Sequence, residues 1–509
     1  MKQMLNKKLN GWQIICVSVL SAIAVLLFVI IKLGGCYETN NDRIINEIFS
    51  GAMTGTPDPH AICVNYILGV IFASLYNTTK SVPWYGLFLL CCYFFINTFV
   101  LSVILKKGRN PKEQLCLWFL SIFVILTNLY IFSVLQFTTI AGALAVAGYV
   151  WLLLDKCPWR RYIIFGLFEL LAVLLRRDSM LMIQPIGMSI IAAYLLLLLI
   201  DDISKVKEYV VELGKSILVV VVVFSVYLAG NYVIGDYSSP EWREYTEYND
   251  LCVKLVDYYG YPEFEECKEI LERYGVSKLD YHAIGRYYIL DNALENECME
   301  ELSTMSQKQY YDEHPFSLIG IIKRMINYFR YDKCFGYEIA VPVMYVFVCG
   351  MFILSKKWKE ILPVIALFGS RYVIFAYLII KGRITHGVIN ILFFAELFFL
   401  LAIFAKGYLD GKTDNSKNMK VRYLITAVFV GMMTLAIIRS YAEAEKSNTN
   451  AKDYENAIMK IFNYIDEKGS GFIICDEVTT YYMGTALDTT GDIRVKILWL
   501  PVDGFIIHR

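Results

Sequence analysis

Long apolar runs recur along this chain, and they constrain its fold more than any other feature. The first, residues 12–33, is long enough to cross the hydrocarbon core of a bilayer, which takes about 20 helical residues. Charged residues make up 19% of the 509, against about 25% in soluble domains. The sequence therefore predicts an all-α polytopic membrane protein.

Basic residues between the runs set the expected orientation, because cytoplasmic loops carry an excess of Lys and Arg. Segment 61–76 is short and could re-enter the membrane, lie at its surface or span it. With that segment left out, every short loop on the assigned inner side is basic. This favours about eleven spans, with a cytoplasmic N-terminus on an uncleaved signal anchor and an extracytoplasmic C-terminus. The predicted spans are residues 12–33, 84–105, 115–135, 137–154, 161–175, 179–200, 213–235, 338–354, 361–380, 386–404 and 421–438.

Charge and cysteine content exclude some classes of protein. The net charge is zero, so we expect no nucleic acid among the partners, whereas the apolar runs predict contact with membrane lipids. The 13 cysteines are scattered without a C-x-x-C pair and are typical of free, buried thiols. Cys252, Cys267 and Cys298 fall outside the predicted spans, where they could pair.

The predicted spans divide the chain into four parts. Residues 1–235 form an N-terminal transmembrane module with a first outer loop at 34–83, and residues 338–438 form a C-terminal set of spans. Between them, residues 236–337 are expected to form an extracytoplasmic, mainly helical domain, acidic at first and rich in Tyr. The tail, 439–509, is expected outside as a small α/β unit with a helix at 453–468 and strands at 471–475 and 495–502.

The first outer loop is too long and too acidic for a plain connection. We call residues 34–66 the lip. Asp42 is the preferred catalytic base, because an acid close to the membrane end of the first span has both location and solvent access. Glu38 is second. Asn40-Asn41-Asp42 could equally cap a short interfacial helix, and Asp58 and His60 could join the site or bind a divalent cation.

Two groups of cations fall on the predicted outer side, where short loops normally avoid them. Arg176 and Arg177 stand in one turn, and Lys381 and Arg383 in another. Arg binds phosphate through paired donors and Lys as a point charge, so all four are candidate phosphate ligands. The alternative is that these side chains reach the headgroups or pair with an acid such as Asp178.

Three charged residues lie deeper in the predicted spans. Arg371 and Glu396 are each about ten residues from the outer end of neighbouring antiparallel helices, so we expect a buried structural pair at similar depth. Glu169 lies two turns before Arg176 on the same helical face, where it could face the same cavity or meet another polar group. The run of Ala and Gly at 141–148 predicts a close helix-packing face.

The acidic loop after the first span, the many helices and the outer tail together resemble the GT-C superfamily of membrane glycosyltransferases. The stretch TGTPDPHAICVNYILGVIFASLY, followed by Trp84-Tyr85-Gly86, also looks like uncharacterised polytopic proteins of Gram-positive bacteria associated with surface-polysaccharide loci. So do Tyr248-Asn249-Asp250 and Asp280-Tyr281. Many GT-C loops carry paired Asp residues, whereas this chain has Asn41-Asp42.

This resemblance implies a transferase of the bacterial plasma membrane. It would move a hexosyl or pentosyl group from a polyprenyl-phosphate-linked donor to a cell-surface glycan or lipid acceptor. Asp42 or Glu38 would be the base, and a divalent cation such as Mg²⁺ or Mn²⁺ could take part. The alternatives are a polysaccharide polymerase or ligase, a polysaccharide or lipid transporter (a flippase), and a scaffold without catalysis.

Overall fold

A computed structural model describes residues 7–37, 40–235, 238–284, 296–331, 335–383, 385–408 and 419–468. Within these ranges the chain is almost entirely helical, as an all-α polytopic protein requires. The helices are α1 Gly11–Phe28, α2 Asn40–Ser50, α3 Tyr66–Thr78, α4 Trp84–Leu105, α5 Pro111–Thr127, α6 Leu129–Ser133, α7 Phe137–Leu154, α8 Arg160–Leu175, α9 Arg177–Asp201, α10 Val206–Leu228, α11 Pro240–Val253, α12 Phe264–Arg273, α13 Lys278–Ile284, α14 Asn296–Glu313, α15 Leu318–Tyr331, α16 Tyr337–Leu354, α17 Ile361–Ile380, α18 His386–Gly407 and α19 Met419–Lys468.

Nine helical segments in the described ranges are long and apolar enough to cross a membrane. The chain is therefore a multi-pass membrane protein. Two of the eleven predicted spans are shorter helices, α5 with 17 residues and α8 with 16. Helix α3 has 13 residues, about 20 Å, which is too short to cross about 30 Å of hydrocarbon.

The predicted span at 115–135 is broken at Asn128. The Asn128 side chain donates to Val124 O at 2.6 Å and accepts from Tyr337 Oη at 2.6 Å. The chain then forms the short helix α6 and the extended pair Val134–Leu135, which we call β2. Every residue of α6 and β2 is buried, so this irregular backbone is enclosed by protein, as membrane proteins require.

Helices α7 and α18 form the centre of the bundle. Nearly all of the α7 and α18 residues are buried, because both helices are apolar on every side. The small residues of α7 allow the two helices to approach closely. A Cβ at Gly142 would overlap the side chain of Ile391, which agrees with the helix-packing role predicted for this run.

A two-residue parallel ladder ties the lip to this bundle. Cys36–Tyr37, which we call β1, pairs with β2 in the register Cys36 to Val134 and Tyr37 to Leu135. Tyr37 is buried, and burial raises the pKa of its hydroxyl well above the usual value. The start of the lip is therefore fixed against the segment that leads into α7.

The last helix differs from the prediction. Helix α19 runs without a break from Met419 to Lys468, so the predicted span at 421–438 and the predicted helix at 453–468 are parts of one 50-residue helix. The boundary expected at residue 438 falls inside it, because Ala and charged residues continue the helix beyond the apolar part. The strands expected at 471–475 and 495–502 lie outside the described residues.

Helices α11 to α14 enclose a small core of their own, and we call residues 238–331 the loop domain. Its core contains Leu255, Leu271, Met299, Cys267 and Cys298. Both of these cysteines, and Cys252, are free thiols. The pairing considered from the sequence is therefore not formed.

Candidate functional site

The two groups of predicted outer cations meet at one end of the bundle, which we call the lip end. Asp178 interacts electrostatically with Arg176 and Arg177 of its own turn and with Arg383, which follows α17. Arg177 Nε lies 2.8 Å from Asp178 Oδ1. The structure thus gathers three of the four predicted phosphate ligands around one carboxylate, although they are about 200 residues apart in sequence.

The loop domain covers one side of this cluster. Arg383 Nη1 lies 3.2 Å from Asp257 Oδ2, and its guanidinium lies 4.6 Å from the centre of the Tyr258 ring. Gly382 has φ +72°, and a Cβ there would lie 2.7 Å from Tyr258 O. Glycine is therefore required where this loop meets the loop domain. Lys381, the fourth predicted cation, is half-buried in the same loop.

The lip reaches the other side of the cluster. The Arg176 guanidinium lies 5.1 Å from the centre of the Phe137 ring and interacts with the thiol of Cys63 in the lip. Cys63 has φ 71°, a left-handed conformation that is uncommon outside glycine. Strained residues of this kind concentrate at functional sites.

Asp42 lies below this surface rather than on it. Its side chain is completely buried, and Oδ1 accepts hydrogen bonds from Tyr85 Oη and Phe137 N, each at 2.9 Å. The solvent access expected for Asp42 is therefore wrong for this conformation. Phe137 N begins α7, where the helix dipole favours a negative charge. Phe137 joins the two halves of the site, since its amide meets Asp42 and its ring meets Arg176.

The predicted capping role of Asp42 is also corrected. Helix α2 begins at Asn40, so Asp42 lies in its first turn and its side chain contacts other elements. The expected interfacial helix is instead packed inside the protein, with Ile45 and Phe49 buried. Its polar residues are paired as well: Asn46 Oδ1 accepts from Tyr76 Oη at 2.5 Å. Glu38, the second candidate base, lies outside the described residues.

Asp58 and His60 contact each other in the lip. His60 Nδ1 lies 2.7 Å from Asp58 Oδ1, and His60 Nε2 lies 2.9 Å from Ser238 Oγ in the loop domain. Burial alone would raise the pKa of Asp58, but hydrogen bonds and charge from His60 outweigh it and lower that pKa.

Both ring nitrogens of His60 have partners, so this pair does not fit a metal ion here. Within the described ranges, moreover, no group of three or more His, Cys, Asp or Glu side chains is placed to hold one. Asp58 and His60 instead join the lip to the loop domain.

The deep pair predicted between Arg371 and Glu396 is confirmed. Arg371 Nε lies 3.1 Å from Glu396 Oε2, and both side chains are buried. Tyr345 Oη donates to Glu396 Oε1 at 3.0 Å, and the guanidinium packs on the rings of Phe375 and Phe393. These surroundings are those of a structural pair.

Glu169 meets another polar group, one of the two possibilities considered for it. Its Oε2 accepts from Gln184 Nε2 at 2.8 Å, and Gln184 Oε1 accepts from Tyr149 Oη at 2.6 Å. Glu169 therefore joins α8 to α9, and Tyr149 adds α7. The direction of its side chain is toward this network and not toward the arginines.

A concavity lies between α6, α18 and α19. It has a volume of about 170 Å³. Aromatic and polar side chains of four elements line it: Tyr130, Phe335, His386, Glu443, Lys446, Ser447 and Asn450.

Sequence reasoning missed the residues that complete the site. Tyr85 and Phe137 hold Asp42, while Asp257 and Tyr258 meet Arg383. Tyr85 stands in the Trp84-Tyr85-Gly86 motif and so carried a signal. The other three have no local pattern that separates them from ordinary aromatic and acidic residues.

No family model, no curated protein and no solved structure matches this chain. Its class is therefore defined by its own fold and site. It is a multi-pass, all-α membrane protein with clustered arginines and a buried lip acid at one end of the bundle.

Proposed function

We propose that this protein is a GT-C-like glycosyltransferase of a bacterial plasma membrane, with the lip end facing outward. It would transfer a sugar from a polyprenyl-phosphate-linked donor to a cell-surface glycan or lipid acceptor. The observation that carries the proposal is the meeting of Arg176, Arg177 and Arg383 at the lip end. Arginines so placed suit a phosphate at headgroup level.

The arginines would act on the leaving group. A guanidinium carries more N–H donors than one carboxylate can accept, so Arg177 and Arg383 can bind phosphate while they contact Asp178 and Asp257. As the bond between the anomeric carbon and the phosphate oxygen breaks, its electron pair goes to the phosphate. Preorganised cations stabilise that developing charge.

The lip would supply the base. An acceptor hydroxyl attacks the anomeric carbon, a new C–O bond forms with inversion, and the hydroxyl proton passes to a carboxylate. Asp42 remains the first candidate and Glu38 the second. As a base, Asp42 must become accessible when substrate binds, since Tyr85 and Phe137 enclose it now. As a positioning residue, it would stay buried and hold α2 against α7.

The test is to express the chain in a strain that lacks the native gene and to analyse its glycans and lipid-linked sugars by mass spectrometry. We expect the wild type to add a sugar. Asp42→Asn should lower the transfer rate by about 100-fold or more if Asp42 is the base. If Asp42→Asn transfers normally and Glu38→Gln is inactive, Glu38 is the base.

Arg177→Gln and Arg383→Gln test the role of the lip-end cations, and Arg109→Gln is their matched control. Arg109 pairs with Glu113 away from the site, so its loss should leave transfer unchanged. All variants must reach equal abundance in the membrane. If no glycan or lipid-linked sugar differs between the wild type and the empty strain, the glycosyltransferase proposal fails.

A further inference from the structure

Helix α15, Leu318–Tyr331, carries an apolar surface that is exposed in the described part of the chain. Leu318 is 66% exposed, Ile319 67% and Ile326 58%, and Ile322 is exposed as well. In a helix of 3.6 residues per turn these four positions form one continuous arc of about 100°. A water-facing surface of this kind is unfavourable, so it indicates a partner.

The rest of the helix is arranged for a surface between water and a bilayer. Ile321 is buried and Met325 packs against the same core, so one edge of the helix rests on the transmembrane bundle. Lys323 and Asn327 are exposed on the polar side, where Arg324 is half-buried. A helix that lies flat in a membrane interface typically has an apolar arc on one side and basic residues next to that arc.

The position of α15 along the bundle agrees with this. Just before it, Tyr310 Oη contacts Ile379 O at the end of α17. Just after it, the chain enters α16 at Tyr337. Helix α15 itself packs against α17. It therefore lies beside the ends of two helices that are long and apolar enough to span a membrane.

The span against which α15 packs also exposes apolar side chains. Helix α17 exposes Val373 and Tyr377 in the last turns before the lip end. Both belong to a segment long and apolar enough to cross the membrane. Lipid that covers these side chains would reach the level of α15, where Leu318, Ile319, Ile322 and Ile326 are all exposed.

We propose that α15 lies in the phospholipid leaflet at the lip end. Leu318, Ile319, Ile322 and Ile326 enter the acyl-chain region, and Lys323 and Arg324 meet the headgroup phosphates. The helix would hold the rest of the loop domain, including Tyr258, over Arg383. This inference does not depend on the glycosyltransferase proposal.

The test uses the full-length protein in nanodiscs of mixed phosphatidylcholine and phosphatidylglycerol. A photoreactive benzophenone amino acid is placed at Ile322 or Ile326, and at Asn327 as the matched control on the polar side. After irradiation, mass spectrometry identifies what is attached. We expect lipid adducts with the probe at Ile322 and at Ile326, and no lipid adducts with the probe at Asn327.

Two results would overturn the proposal. An adduct between Ile322 or Ile326 and another segment of this chain would mean that protein covers the arc. An absence of any adduct at both positions would mean that the arc faces water. In either case the glycan analysis of the wild type is unaffected, so the two proposals fail separately.

The headgroup contact has its own measurement. Adducts of the Ile322 probe should contain more phosphatidylglycerol than its share of the nanodisc, because Lys323 and Arg324 attract anionic lipid. Lys323→Gln combined with Arg324→Gln should remove this enrichment while the adduct itself remains. Equal lipid composition with and without the two cations would contradict this part of the proposal.

Discussion

Arginine occurs in two contrasting settings in this protein. Arg371 is completely buried in the bundle, with Glu396 as its ion-pair partner and aromatic rings around its guanidinium. Arg177 and Arg383 are partly exposed at the lip end, where Arg177 pairs with Asp178 of its own helix and Arg383 with Asp257 of the loop domain. The first setting is closed around one pair, whereas the second is open on one side.

This difference separates two uses of the same side chain. Removing charges from water is costly, so a buried pair depends on each partner and leaves no room for a ligand. A partly exposed arginine keeps much of its hydration and contributes little to stability. Mutations should therefore affect folding at Arg371 and function at Arg177 and Arg383.

The largest effect is expected at the buried pair. Arg371→Met leaves Glu396 buried without its counter-charge and should lower the free energy of unfolding by about 3–5 kcal/mol. Thermal unfolding of the purified protein in detergent measures this. Adding Glu396→Gln to Arg371→Met should restore much of the loss, because no unpaired charge remains. A double variant no more stable than Arg371→Met would contradict the pairing.

A smaller loss is expected at Asp42. Asp42→Ala leaves Tyr85 Oη and Phe137 N without this acceptor and should cost about 1–3 kcal/mol. Asp42→Asn keeps an acceptor oxygen and should cost less. The same unfolding assay compares the two variants, and Tyr85→Phe is the matched control. If Asp42→Ala unfolds like the wild type, the hydrogen bonds do not hold the lip.

Both regions show what the sequence could predict. The Arg371–Glu396 pair followed from helix register, because two charges at equal depth in neighbouring apolar helices have few other partners. The grouping of Arg176 and Arg177 with Arg383 followed from topology, since alternate helix ends meet at the same face. The positions of most helices could also be predicted, because they depend on local apolar periodicity.

Contacts between distant segments could not be predicted from the sequence. The burial of Asp42 depends on Tyr85 and on the amide of Phe137, and a backbone amide has no signature in the sequence. The break at Asn128 depends on Tyr337, 209 residues away. Helix α19 shows a different kind of error. The change from apolar to charged residues predicted a helix end, but the charged residues also favour helix, so the helix continues.

At the lip end, stability and function should separate. Arg177→Gln and Arg383→Gln should each change the free energy of unfolding by less than about 1 kcal/mol, because the paired carboxylates of Asp178 and Asp257 are 55% and 43% exposed. Sugar transfer should fall by about 100-fold if they stabilise the leaving phosphate. Unfolding and glycan analysis on the same preparations test this. A large loss of stability with unchanged transfer would make these arginines structural, like Arg371.

The smallest effect is expected at Asp58, and it depends on pH. The folded pKa of Asp58 is lowered, so the contact with His60 stabilises the protein above the unfolded pKa of about 3.9 and is lost as the pH falls through the folded pKa. Asp58→Asn should therefore be less stable than the wild type at neutral pH, by less than about 1 kcal/mol because Asp58 is partly exposed.

Unfolding of both proteins from neutral pH to below about pH 4 measures this difference, which should shrink as Asp58 becomes protonated in the wild type. Ser238→Ala is the control, since it removes the other partner of His60 without a carboxylate. A difference that is the same at every pH would mean that the charge of Asp58 contributes nothing. The lip would then be joined to the loop domain by packing and neutral hydrogen bonds alone.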